Sequence, residues 1–115
     1  MSVVLTPHPS ILEIRNDLGI SREKMARVFD VSSKTIDRWE KQAAPLRDAH
    51  DAKTLEDLKT IVELGQLVWG EDGFRLFLTL PQPVLGSRTP LQALERGDLA
   101  AVLSMVAADY EGLGP

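Results

Sequence analysis

Apolar residues recur along this 115-residue chain at three- and four-residue spacing. No window sustains the strict alternation of a half-buried strand, so the pattern predicts an all-α fold. Ser10-Ile11-Leu12-Glu13 reads as a capping box that opens a short helix, with Ile11, Leu12, Ile14 and Leu18 on its apolar side and Gly19 ending it. Ser21 caps a second helix, in which Met25, Val28 and Phe29 share one face. A break at Asp30-Val31-Ser32 follows. Ser32 then caps a third helix that runs to about Lys41 and turns Ile36 and Trp39 inward as an i, i+3 pair.

Ala43-Ala44-Pro45 closes this first unit, and Leu46 to Thr54 is polar and weakly patterned, as a linker or the loose start of the next helix would be. From Leu55 the pattern strengthens. Leu55, Leu58, Ile61, Val62, Leu64, Leu67 and Val68 form an apolar face too broad for one narrow seam, so this helix is expected to be covered from two sides, one by its own chain and one by a second copy. Past Gly70 a helix is expected over Glu71 to Leu80, with Phe74, Phe77 and Leu78 inward. Pro81 and Pro83 stop it, and Gly86 permits a tight reversal. Thr89-Pro90-Leu91-Gln92 carries an N-cap, a proline at the first helical position and a capping-box glutamine. Two short helices are therefore expected, Pro90 to Leu94 and Leu99 to about Tyr110, separated by Gly97 and with Asp98 as the N-cap of the second. The chain divides into residues 1–45, 46–69 and 70–115.

Composition narrows the function classes. Hydrophobic content of 43% with 26% charged residues is that of a globular chain. Without cysteine there are no disulfides, no thiolate nucleophile and no cysteine-ligated zinc. No run is long enough to span a bilayer, and MSVVLTPHPS lacks the features of a signal peptide, so no membrane partner is expected and the expected location is cytoplasmic. The net charge of −4 is unevenly spread. Residues 1–50 hold eight Lys/Arg against seven Asp/Glu, whereas residues 51–115 hold five against ten. DNA contact therefore belongs to the front half, and the acidic back half suits a basic protein partner.

Ser21 to Lys41, SREKMARVFDVSSKTIDRWEK, resembles the helix-turn-helix of the Xre/Cro repressor class, its most specific part being V-S-x-x-T-I-x-R-W-E at Val31 to Glu40. Met25, Ala26, Val31, Ile36 and Trp39 match the buried positions. Asp30 stands where the turn usually carries glycine, a position that calls for a left-handed backbone. The resemblance implies that the second helix of the motif enters the major groove. Removing the buried positions leaves Ser33, Lys34, Asp37, Arg38 and Lys41 outward. Lys34 and Arg38, at i, i+4, are the expected base readers. Ser32 and Ser33 at the helix start suit a phosphate, and Arg22, Lys24 and Arg27 offer backbone contacts. Each of these charges also fits a plain solvated surface. So small a basic excess favours a homodimer with recognition helices about 34 Å apart on a palindromic operator.

The segment LPQPVLGSRTPLQALERGDLAAVL, Leu80 to Leu103, is similar to the signature of the toxin-binding domain in antitoxins of the Xre/MbcA/ParS type. The likeness runs through Pro83, Leu85, Gly86, Arg88, Thr89, Pro90, Leu91 and Leu94, and loosely to Tyr110. It implies a helix-turn-helix region at 1–45, a linker and dimerisation helix at 46–69, and a toxin-binding domain at 70–115. The implied partner is a RES-domain toxin, which consumes NAD, or a related ADP-ribosyltransferase-like toxin, in a dimer or a higher hetero-oligomer. The C-terminal domain is expected to cover the toxin's cleft. Arg88 and the terminal segment Tyr110-Glu111-Gly112-Leu113-Gly114-Pro115 are the expected contacts, with two alternatives open: Arg88 bracing the hinge through backbone carbonyls, and a tail without a partner.

Nothing in the chain assembles an active site, and no cofactor or metal is expected. His8 and His50 stand alone, phosphate-binding glycine motifs are missing, and Glu71-Asp72 reads as helix-start charge. The chain is expected not to be an enzyme. Two other functions compete with an antitoxin that represses its own operon: a stand-alone dimeric repressor, and an adaptor that no longer binds DNA.

Overall fold

The computed structural model describes residues 10–42 and 46–113. The N-terminal residues with His8, the Ala43-Ala44-Pro45 break, and Gly114 and Pro115 lie outside the described residues. Six α-helices and one 3-10 turn follow in order: α1 (Ile11–Leu18), α2 (Arg22–Phe29), α3 (Ser33–Lys41), α4 (Ala49–Leu78), the 3-10 turn (Pro83–Leu85), α5 (Pro90–Glu95) and α6 (Leu99–Glu111). The fold is all-α, and among the described residues the only bridge of a sheet kind pairs Gln82 with Arg88.

Hydroxyl caps start four of the helices. The side chains of Ser10, Ser21, Ser32 and Thr89 accept the amides of Glu13, Lys24, Thr35 and Gln92, and at Thr89 the Gln92 side chain completes a capping box. Asp30, at φ 57° and ψ 49°, takes the left-handed turn position and ends α2. Asp98 departs from the expected cap: it makes no side-chain capping bond to α6, because its carboxylate is bonded to Arg88.

Of the two readings of the polar stretch before Leu55, the start of the next helix is the one observed, from Ala49, because Asp48 accepts the Asp51 amide and starts α4 there. The helix is broken at Gly70, whose φ of 75° and ψ of 174° are a combination essentially reserved for glycine. Its second arm folds back on the first, and Trp69 stacks on Phe77 with centroids 4.2 Å apart. A Cβ at Gly65 would lie 2.2 Å from Phe74 Cδ1, so only glycine lets the arms approach this closely. Leu55, Leu58, Ile61 and Val62 are buried against α1 and α6 of the same chain, which accounts for the breadth of the apolar face; Leu67 is left 64% exposed.

One core runs through all three segments of the chain. It joins Met25, Phe29 and Ile36 to Leu58, Ile61 and Phe74, and these to Leu94, Val102 and Val106. The contact of α2 with α5 ties the first unit directly to the last. Leu12, expected inward, is 39% exposed at the edge of α1. No helix among the described residues is long and apolar enough to cross a membrane.

Candidate functional site

The α2-turn-α3 unit is locked from within before it presents anything outward. Met25 and Ile36 are fully buried, and Phe29 meets Trp39 edge-on at 5.3 Å. Glu40 is the polar anchor, its side chain only 4% exposed. Both Nε and Nη2 of Arg15 donate to it, and Arg22 Nε donates at 2.9 Å, so one carboxylate ties α1, α2 and α3. Burial alone would raise the Glu40 pKa, but the hydrogen bonds from Arg15 and Arg22, with their charges, hold it below the ordinary glutamate value.

That anchor redistributes the cations expected to touch DNA. Arg22 is engaged by Glu40 and lies 3.6 Å from Asp37, which raises its pKa. Asp37 also accepts from Lys41 at 3.0 Å, and this bond chiefly holds its carboxyl below the usual range. Arg27 reaches away from α3 to Glu95 on α5 at 2.9 Å. Ser32 is occupied as a cap, accepting the Thr35 amide and sharing a hydrogen bond with Thr35 Oγ1 at 3.0 Å, while Ser33 is half-buried. Lys34 and Arg38 are exposed on the outer face of α3, and neither makes an ion pair among the described residues.

A basic residue not singled out in the sequence lies beside Arg38. Arg47, in the polar stretch before α4, lines with Arg38, Trp39 and Gln42 a cleft of about 530 Å³ at the end of α3, whose lining also carries the carboxylates of Asp48 and Asp51. The signal that would have found it is the Asp48 cap. A helix start at Ala49 places Arg47 at a corner beside the end of α3.

The hinge closes on itself. Gln82 N donates to Arg88 O and Ser87 N to Gln82 O, each at 3.0 Å, around two successive positive-φ residues, Gly86 and Ser87 at 68° each. Leu85 is buried beneath this loop and Val84 stands 73% exposed above it. Arg88 braces the loop, with Nε donating to Leu85 O at 3.0 Å and Nη1 to Asp98 at 2.8 Å. Of the terminal segment, Tyr110 and Glu111 belong to α6 and are therefore not free tail; Gly112 and Leu113 continue its last turn through bonds to Ala108 O and Tyr110 O. Tyr110 is 42% and Leu113 61% exposed. Arg88 and these terminal residues thus lie in different parts of the C-terminal half. His50 is exposed, and no group of three or more His, Asp or Glu among the described residues is placed to hold a metal ion.

No protein-family model and no curated protein matches the chain. Among solved structures, it is similar over 97% of its length to the whole of a chain in the crystal structure of the M. tuberculosis MbcT-MbcA toxin-antitoxin complex, with a TM-score of 0.68 and 22% identity. At that identity the likeness is one of fold.

Proposed function

We propose that this chain is the antitoxin of a toxin-antitoxin pair, one that binds and neutralises a RES-type, NAD-consuming toxin and represses its own operon through α2 and α3. The observation that carries the reading is the extent of the structural likeness: it spans nearly the whole chain and all of a chain from a toxin-antitoxin complex.

Two features of the molecule support the division of labour. The outer face of α3 keeps Lys34 and Arg38 available for an operator. The large apolar side chains exposed among the described residues fall, Leu12 apart, in the C-terminal half: Leu67, Leu76, Leu80, Val84, Tyr110 and Leu113. These side chains are the candidates for contact with a protein partner.

Removing residues 81–115 would strip Leu85, Leu94, Val102 and Val106 from the core, so the test uses surface substitutions. The chain is co-expressed with the toxin candidate from the adjacent reading frame, and growth and cellular NAD are measured. Wild type is expected to restore both. Val84→Glu and Leu113→Glu are expected to lose rescue with unchanged helical circular dichroism and melting temperature. If both still rescue, the toxin surface lies elsewhere; if wild type fails to rescue but binds its promoter, the chain is a stand-alone repressor.

A further inference from the structure

The cleft between α2 and α5 gathers three guanidinium groups in a region of the chain that is otherwise acidic. Arg27 enters from α2, Arg88 from the hinge and Arg96 from the end of α5, with Gln92 and Glu95 completing a space of about 300 Å³. Residues 51–115 hold only five cations. Lys53 is paired with Asp57, Arg75 serves the carbonyls of Asn16 and Asp17, and Arg88 bonds Leu85 O and Asp98, so Arg96 and Lys59 are the two without an ion pair or side-chain hydrogen bond among the described residues.

Like charges placed together repel, and the carboxylate in the lining is already committed, with Glu95 on Arg27 at 2.9 Å. Arg96 has no ion-pair partner among the described residues. A guanidinium offers five N–H donors; Arg27 uses one here, and Arg88 uses two. The residues that line the cleft therefore keep many unspent donors. We propose that the cleft receives an acidic side chain of a protein partner, held between the guanidinium groups of Arg88 and Arg96.

Two observations favour a carboxylate over a nucleic-acid backbone. Arg22 and Arg27 are five residues apart, about 140° around a helix of 3.6 residues per turn. Arg22 turns to Asp37 and Glu40 on α3 whereas Arg27 turns to α5, so the cleft opens away from the outer face of α3. Glu95 also repels a strand bearing one phosphate after another, while a single carboxylate fits beside it.

The site does not depend on the partner being a toxin, and its test needs none. A fluorescein-labelled peptide carrying a single glutamate among glycine and serine residues is titrated by anisotropy against the full chain, with a duplex oligonucleotide as comparator. A net charge of −4 gives no general attraction for this peptide, so binding reports a local site. Arg96→Glu is expected to weaken peptide binding about tenfold and Arg96→Gln about threefold, both without effect on the duplex. Arg38→Ala is expected to do the reverse. Absence of peptide binding by wild type, peptide affinity unchanged in Arg96→Glu, or duplex affinity falling as far as peptide affinity would each overturn the assignment; loss of Arg38-dependent duplex binding alone would count only against the DNA reading.

Discussion

Arg88 Nη1 donates to Asp98 Oδ2 at 2.8 Å, bridging the two ends of the segment that contains α5, while its Nε holds Leu85 O at 3.0 Å. One planar fork thus fixes the hinge to the start of α6. The ion pair is solvent-exposed and worth at most about 1 kcal/mol, whereas the charged donor on a backbone carbonyl is worth about 1.5 kcal/mol. Arg88→Ala is therefore expected to cost about 2 kcal/mol in urea denaturation and Asp98→Ala about 0.5 kcal/mol. Equal losses would place the effect in the ion pair alone.

The arms of α4 meet at Gly65, where an added Cβ would stand 2.2 Å from Phe74 Cδ1. Phe74 is fully buried, so its ring has nowhere to retreat. Gly65→Ala is expected to lower stability by about 2–3 kcal/mol, as overpacking of a tight core does. A second change, Phe74→Leu, is expected to restore part of that loss when combined with Gly65→Ala. Additive losses in the double variant would mean that the two residues do not meet.

Asp30 holds a left-handed backbone at φ 57°, a conformation that costs a residue with a Cβ about 1–2 kcal/mol. Glycine removes that cost but leaves a more flexible unfolded chain, which takes back about 0.5–1 kcal/mol. Asp30→Gly is expected to raise the melting temperature slightly, with operator affinity unchanged. A lower melting temperature would show that the aspartate side chain contributes more than the strained backbone costs.

Capping chemistry made most of the helix boundaries legible. Ser10, Ser21, Ser32 and Thr89 are local signals, since each cap bonds an amide three residues away, and the sequence keeps both partners in view. What it hid was contact at long separation. Nothing in the neighbourhood of Glu40 announces Arg15, 25 residues earlier, and nothing near Arg27 announces Glu95, 68 residues later. The sequence offers all the outward cations of α2 and α3 alike, but tertiary ion pairs claim Arg22 and Arg27. Nothing near Gly65 announces Phe74 across the bend at Gly70. Asp98 looked like a cap because the local rule has no term for an arginine arriving from ten residues away.

Glu40 makes stability depend on pH in a set direction. Its pKa is lower folded than unfolded, so its ion pairs stabilise fully above the unfolded value of about 4.3 and are lost as pH falls through the folded value. Glu40→Gln is expected to cost about 2 kcal/mol at pH 7, because Arg15 is left half-buried beside a neutral amide. The gap between wild type and variant should close on acidification below about pH 4. A gap that stayed constant from pH 7 to pH 3 would assign the loss to packing.

Arg22 and Arg38 look alike in the sequence, as arginines of one pair of short helices, and the structure separates them. Arg22 is held by Glu40 and Asp37, so Arg22→Ala is expected to lower the melting temperature first and to weaken DNA binding only through a loosened α3. Arg38 has no such tie among the described residues, so Arg38→Ala should leave the melting temperature unchanged and cost about 1–3 kcal/mol at one operator position if it reads a base. Contact with a phosphate instead would weaken all sequences alike and lower the slope of log affinity against log salt by about one. Operator titrations at several salt concentrations, with a point-substituted operator beside the natural one, distinguish these outcomes. Unchanged affinity in Arg38→Ala together with a large loss in Arg22→Ala at constant stability would reverse the assignment and place the DNA contact on α2.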